Sequence, residues 1–259
     1  MSYSVIAAVY KDQAVLQSTL LRSPALKSAQ QVIVKEGFAT VAHAYEAAAR
    51  ECEAEIMVFA HPDAYLPEAW RLSFERSLAW LDKHDPHWGV IGLFGATREG
   101  QGRGFIYSTG LERFVGTPFA VPAEVRVLDE FVFAMRRNSG LSFDTAIPNA
   151  QFQLGTTDLC LQAERQARRC YAIPCFALHN SNAWKYMPFS FWKTYLYIRK
   201  KWRTSLPLNT TYTTVTSNCL PMIKGTVRGW LSGHHRHISR VQDPVVLYED
   251  LRANMVDAF

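Results

Sequence analysis

The sequence predicts an α/β fold, a mainly parallel sheet flanked by helices, and three observations carry that expectation. Short, continuously apolar runs recur in the first part of the chain, as at 5–10 and 55–60. Such runs suit strands buried on both faces. Segments with apolar residues at helical spacing stand between them, and the connections are short, so strand and helix alternate.

The elements follow in order. Residues 5–10 form the first strand. Residues 12–21, with Leu16, Leu20 and Leu21, form a helix with Asp12 as its N-cap, ended before Pro24. Residues 31–35 are the second strand. Thr40 caps an Ala-rich helix to about residue 53, with Ala44, Ala47 and Ala48 supplying propensity. The third strand, 55–60, runs into His61-Pro62-Asp63. A helix over 68–82 carries Trp70, Phe74, Leu78 and Leu81 at helical spacing, and 88–94 is the fourth strand. Beyond it the pattern loosens into a glycine-rich hairpin at 104–108 and a long strand, 125–135, interrupted by Asp129 and Glu130. A helical stretch over 159–167 opens after Asp158, and a last strand over 171–179 ends in His179.

Composition bounds the class. The chain has 259 residues, 48% hydrophobic and 20% charged, which fits one large or two small domains. Fourteen Gly and twelve Pro are too few for a fibrous or low-complexity chain. No apolar run approaches the roughly 18 residues of a membrane span, and the first ten residues lack the basic start of a signal peptide. Five cysteines without a C-x-x-C pair argue against a disulfide framework or a zinc ribbon and point to free thiols in a reducing cytoplasm.

The net charge of +5 is unevenly spread. Residues 1–180 hold 17 Lys+Arg against 19 Asp+Glu, residues 181–240 hold 10 against 0, and the last nineteen hold 1 against 4. The basic excess sits in one C-terminal segment, which should face something anionic.

In open sheets of this kind ligands sit beyond the carboxyl ends of the strands. Three segments qualify: 10–12, 35–37 and 61–63. Polar residues that interrupt or end apolar strands are His61, Asp63, the pair Asp129-Glu130, and His179, with Asp158 at a helix start. One Asp and two His suit a divalent cation, since carboxylate matches Mg²⁺ or Mn²⁺ and imidazole tolerates Mn²⁺. A cation there could hold a diphosphate, leaving a further carboxylate to act as general base on an acceptor hydroxyl. Each residue also has a plainer reading: Asp63 as a turn residue, Asp158 as a helix cap, His179 as a strand exit.

The order of these pieces resembles the GT-A-type glycosyltransferases, close to a family-2-like bacterial group whose metal motif reads Phe-x-His-x-Asp. Segments 56–63, 89–92, 127–130 with Arg136 and Arg137, 143–144, 157–161, 178–181, 200–202 and 206–207 carry the likeness. The resemblance implies a GT-A-like fold with a helical, basic-aromatic C-terminal extension. It implies a catalytic domain over 1–183, with a nucleotide-binding half at 1–94 and an acceptor half at 95–183, and the extension over 184–259. It implies Asp63 and His179 as ligands of Mn²⁺ or Mg²⁺ and a nucleotide lying against Val9, Tyr10, Glu36, Thr40 and His61. Asp158 is implied as the base, with Asp129 or Glu130 as substitutes because Gly155-Thr156-Thr157 lacks the second acid relatives often supply. The implied reaction is inverting transfer of a sugar from a nucleotide-sugar donor to a glycan or lipid-linked acceptor, in bacterial surface polysaccharide or glycoconjugate synthesis.

Residues 181–203 hold eight aromatics interleaved with Lys185, Lys193, Arg199, Lys200, Lys201 and Arg203. A helix over 189–202 docks on the catalytic domain or binds the acceptor or, through 184–203, meets the inner face of a membrane, where rings and cations sit at headgroup level, and docking is compatible with the other roles. The His-rich stretch 233–237 reads as a basic turn, and the glycines at 100–104 as a flexible active-site loop. The alternative is a non-catalytic nucleic-acid-binding protein using the basic segment, disfavoured by the near-neutral remainder. A nucleotidyltransferase would usually carry a Gly-rich signature near the first strand, which is missing.

Overall fold

Strand β1 (Tyr3–Val9) is buried along its whole length, which explains why its sequence is apolar at nearly every position. Val5, Ala7 and Val9 enter the core on one face of the sheet, and Ile6 and Ala8 enter the core on the other. The computed structural model describes residues 1–10, 13–148, 153–181, 183–184, 187–231, 237–238 and 241–254. The expected Asp12 cap, Lys185 and Tyr186, and all but the last residue of the 233–237 turn lie outside the described residues.

After β1 come α1 (Gln13–Ser18), β2 (Val32–Glu36), α2 (Val41–Glu51), β3 (Ile56–Ala60), β4 (Ala64–Tyr65) and α3 (Glu68–His84). Thr40 caps α2 as expected, its side chain accepting from the His43 amide. Strands β5 (Val90–Gly92), β6 (Phe94–Ala96), β7 (Gly102–Ser108), β8 (Arg113–Gly116), β9 (Ala123–Val125), β10 (Val127–Leu128) and β11 (Val132–Arg136) follow. Then come α4 (Gly155–Arg165), β12 (Cys170–Ala172), β13 (Leu178–His179), β14 (Ala183–Trp184) and α5 (Phe189–Lys201). The chain ends with β15 (Leu208–Asn209), β16 (Thr214–Val215), α6 (Leu220–Leu231), β17 (His237–Ile238) and α7 (Pro244–Asn254).

The main sheet has the order β2-β1-β3-β11-β5-β12-β9. β2, β1 and β3 are mutually parallel and β12 is parallel to β5, as expected. β11 runs antiparallel between β3 and β5, and β9 is antiparallel at the edge, so the sheet is mixed. The reversal arises because β11 arrives from a second sheet by a short loop, and only a parallel pairing demands a long crossover. That second sheet has the order β10-β6-β7-β13-β4, with β8 on β7.

Three expected strands are split between the two sheets. The 88–94 strand breaks at Leu93 into β5 and β6. Just beyond the break, a Cβ on Gly95 would stand 2.5 Å from the Val127 carbonyl, so only glycine allows that approach of strands. The 171–179 strand breaks around Pro174, which has no amide to give a ladder. The 125–135 strand breaks at Asp129-Glu130, where the acidic pair interrupts the pattern. α4 opens four residues earlier than expected, which puts Asp158 in its first turn. Residues 97–101 form the β6–β7 turn, with Asn209 bonded to the Arg98 carbonyl.

The C-terminal segment is packed onto the sheet domain. Phe191, Trp192, Tyr195, Ile198 and Trp202 share one cluster with Val127, Leu154 and Leu161, so α5 docks through its aromatic face. The face expected from 189, 192, 196 and 199 is rotated: Phe189 and Leu196 point outward. α7 returns to the other end, where Leu247 and Tyr248 pack on Tyr65 and Leu178. Among the described residues no helix is long and apolar enough to cross a membrane.

Candidate metal centre

His61, Asp63 and His179 come together because three strands end at one place. β3 delivers His61, whose amide donates to the Phe131 carbonyl just before β11. The β13–β4 pairing sets His179 opposite Ala64, and the Asn180 amide donates to the Asp63 carbonyl at 2.9 Å. One ligand atom from each of the three lies within 4.8 Å of the others. His61 Nδ1 stands 3.8 Å and His179 Nε2 3.6 Å from Asp63 Oδ1. Both separations are too long for hydrogen bonds. They lie near the roughly 3.0–3.4 Å between neighbouring ligands around a divalent ion.

The electrostatics agree. Asp63 Oδ1 is buried without a hydrogen-bond partner, a costly state for a carboxylate unless a cation faces it. Burial pushes the His61 pKa down to about 4, with Asp63 opposing, so this imidazole is neutral and ligand-ready. Burial is the largest influence on His179 and acts in the same direction, but the Asp63 charge and contact and the Asp129 charge together outweigh it and hold the ring above its ordinary value. Burial raises Asp63 too, and His179 and His61 more than reverse that, leaving it below the usual carboxylate range. Phe131 packs on the His179 ring at 4.3 Å and fixes its plane. The three residues fit a divalent cation.

The expected nucleotide residues line the adjoining carboxyl edge. Val9 and Glu36 are register partners at the ends of β1 and β2. Tyr10 follows, 60% exposed. Thr40 stands at the start of α2 with its hydroxyl bonded to His43 Nδ1 at 2.8 Å, and Gln13 donates to Glu36.

The three candidate acids have different surroundings. Asp129 is half-buried, its Oδ1 accepting from the Phe131 amide and its Oδ2 from the Thr211 hydroxyl, each at 3.0 Å. Its charge acts on both His61 and His179. Glu130 is buried, and Tyr212 donates to its Oε2 at 3.0 Å. Burial, then the neighbouring Asp129 charge, pushes Glu130 well above the carboxylate range. Its Oε1, the Tyr45 hydroxyl and the Thr156 hydroxyl are all buried without a well-aligned partner, and all three residues line one cavity of about 30 Å³ between α2 and the start of α4. That is room for a water or two.

Asp158 is 1% exposed and stands among donors. Trp202 Nε1 donates to Oδ1 at 2.7 Å, while Lys201 Nζ and Gln162 donate to Oδ2 at 2.9 and 2.8 Å. Lys201 also binds Asp144 at 2.7 Å, and the Arg165 guanidinium lies 4.1 Å above the Trp202 ring. The structure therefore gathers Asp129 with the metal-type triad and ties Asp158 to the end of α5. Sequence reasoning assigned no role to Tyr45, Thr156, Thr211 or Tyr212. The only signal for the last two was a polar run, 209–214, inside an otherwise basic-aromatic segment.

No family model and no curated protein sequence matches this chain. Solved structures show distant likeness. A mannosyltransferase, PcManGT from Pyrobaculum calidifontis, in complex with GDP-Man and Mn²⁺, is 11% identical over 98% of this chain and 80% of its own, with a TM-score of 0.47. GalNAc-T7 with UDP, GalNAc and Mn²⁺ is 10% identical over 69% of this chain, with a TM-score of 0.45, and this chain spans only 44% of it. S. aureus TarS 1-349 in complex with UDP-GlcNAc is 14% identical over 69% of this chain and 56% of its own, with a TM-score of 0.41.

Proposed function

We propose that this chain is a metal-dependent glycosyltransferase that moves a sugar from a nucleotide-sugar donor to an acceptor hydroxyl with inversion. The observation that carries the proposal is the buried Asp63 Oδ1, which accepts no hydrogen bond and stands between two imidazoles at the carboxyl edge of the sheet. His61, Asp63 and His179 would hold Mn²⁺ or Mg²⁺. When bound, such a cation supplies charge neutralisation for a leaving diphosphate. Val9, Tyr10, Glu36 and Thr40 would seat the nucleoside beside it.

In this reading the acceptor oxygen attacks the anomeric carbon as the bond to the diphosphate breaks, and one carboxylate takes the acceptor proton. Asp129 suits that task best. It is half-buried, close enough to the triad to act on both histidines, and it keeps unused lone pairs. Asp158, the base implied by the sequence resemblance, lies under Lys201 and Trp202 and would first need that contact to open. Glu130 and its cavity would shape the acceptor side. A glycan or lipid-linked acceptor in surface polysaccharide synthesis at the cytoplasmic face of a membrane fits the basic C-terminal segment.

The nucleic-acid alternative has less support, because the aromatic rings of α5 are mostly buried and its cations Lys201 and Arg199 are engaged inside the chain. The test is release of nucleoside diphosphate from a panel of nucleotide sugars with Mn²⁺. The expected result is turnover that disappears in Asp63→Ala and falls about 10²–10⁴-fold in Asp129→Asn with nucleotide binding retained. Turnover unchanged in Asp63→Ala would refute the assignment.

A further inference from the structure

Helix α6 carries two opposed faces, and among the described residues only one of them is packed against the rest of the chain. Met222, Gly225 and Gly229 face inward, spaced by three and four residues. A Cβ on Gly225 would stand 2.3 Å from the Trp192 ring, so the helix rests on α5 with glycine backbone against the indole. At 100° per residue the opposite side holds Leu220, Ile223, Val227 and Leu231. These are 56%, 49%, 46% and 70% exposed. Lys224 and Arg228, both exposed, border that stripe along one edge. No acidic residue occurs anywhere between 181 and 240, and Lys193, Lys200 and Arg203 are exposed on the neighbouring α5 and just after it.

We propose that the outer face of α6 is a membrane-docking surface for anionic lipid, lying in the headgroup plane with Leu220, Ile223, Val227 and Leu231 toward the acyl chains. The charge pattern selects this occupant. Aliphatic side chains bordered by cations, with no acid to repel phosphate, are what an interfacial helix presents to an anionic leaflet. A second copy of the chain would bring Lys224 and Arg228 against their own equivalents across a two-fold contact. Four side chains also fall well short of the ~800 Å² per partner of a stable interface. A nucleic acid would want exposed aromatic platforms, and this stripe is aliphatic. The contact expected through 184–203 thus moves to α6, because α5 turns most of its rings inward. The inference does not depend on the transferase reading, since it uses no residue of the metal centre.

The experiment is co-sedimentation of the full chain with vesicles of phosphatidylcholine alone and of phosphatidylcholine with phosphatidylglycerol. The expected result is binding to the anionic vesicles that weakens with salt. Lys224→Gln and Arg228→Gln should each weaken it about fivefold. Ile223→Ser with Val227→Ser should weaken it at least tenfold, while far-UV circular dichroism and the thermal midpoint stay near those of the parent. Three results would overturn the proposal. They are equal sedimentation with neutral and anionic vesicles, binding unchanged in the Ile223→Ser/Val227→Ser variant, or a dimer in light scattering that this variant converts to monomer.

Discussion

Lys201→Met isolates the contact that ties the C-terminal segment to the sheet domain. The substitution keeps the side-chain length and removes a charge that stands 2.7 Å from Asp144 Oδ2 and 2.9 Å from Asp158 Oδ2. At an effective dielectric of ~20, one such pair is worth roughly 6 kcal/mol of gross attraction. Desolvation takes most of that back, and breaking a buried pair by removing one partner typically costs about 3–5 kcal/mol. Lys201 is 27% exposed, so solvent screens part of the loss, whereas Asp158 at 1% has no such relief. A net destabilisation of about 2–3 kcal/mol follows, which for a chain of this length lowers Tm by about 4–8 °C. Calorimetry on the four corners of a Lys201→Met/Asp158→Asn cycle is the assay. Neutralising Asp158 in the Lys201→Met background should recover at least ~1 kcal/mol, because the orphaned charge is then gone. A Tm change under about 1 °C, or strict additivity, would refute the view that this pair is a buried anchor.

Other consequences follow from the same contacts. Gly225→Leu should detach α6 from Trp192 and cost about 2–4 kcal/mol by denaturant unfolding, since the indole leaves no room for a side chain. Glu130 is raised in the folded state, so its neutral form favours folding below the unfolded carboxylate pKa. That contribution is lost as pH rises toward its folded pKa; Glu130→Gln should therefore flatten the fall in stability as pH rises above the ordinary carboxylate range, seen in Tm against pH. At the metal centre His179 is raised, and its charged pairing with Asp63 stabilises the metal-free chain below about pH 6.5 and fades as pH rises through its folded pKa. Asp63 and His61 are lowered, so their contributions are lost as pH falls, His61 through about 4. Mn²⁺ must displace the His179 proton; titration calorimetry in two buffers should show affinity rising from pH 6 to 8 with close to one proton released at the acid end.

The run at β1, the capped Ala-rich α2 and the alternating first third were legible because burial on both faces and helix capping leave local marks. The mixed order of the sheet was not. Antiparallel β11 and parallel β12 have similar apolar composition, and what places β11 beside β3 is the register of Val132 against Ala60, a long-range pairing. The triad was legible because His61 and Asp63 share one strand exit and His179 ends another. The cavity at Glu130 was only half visible: two adjacent acids in an apolar strand stand out, while Tyr45 and Thr156 look like ordinary helix residues until α2 and α4 converge. Asp158 shows the limit most clearly. Its place at a helix start was readable, but two of the three donors on its oxygens, Lys201 and Trp202, come from 43 and 44 residues away.

The central claim is that His61, Asp63 and His179 form a cation site serving a nucleotide diphosphate. Its most direct test is Mn²⁺ binding to the full chain followed by electron paramagnetic resonance, with and without UDP or GDP. One Mn²⁺ per chain, with affinity raised by a nucleoside diphosphate and lost in Asp63→Asn and His179→Ala, is the predicted result. Binding of equal strength in those variants, or no Mn²⁺ signal at neutral pH with any nucleoside diphosphate, would contradict it.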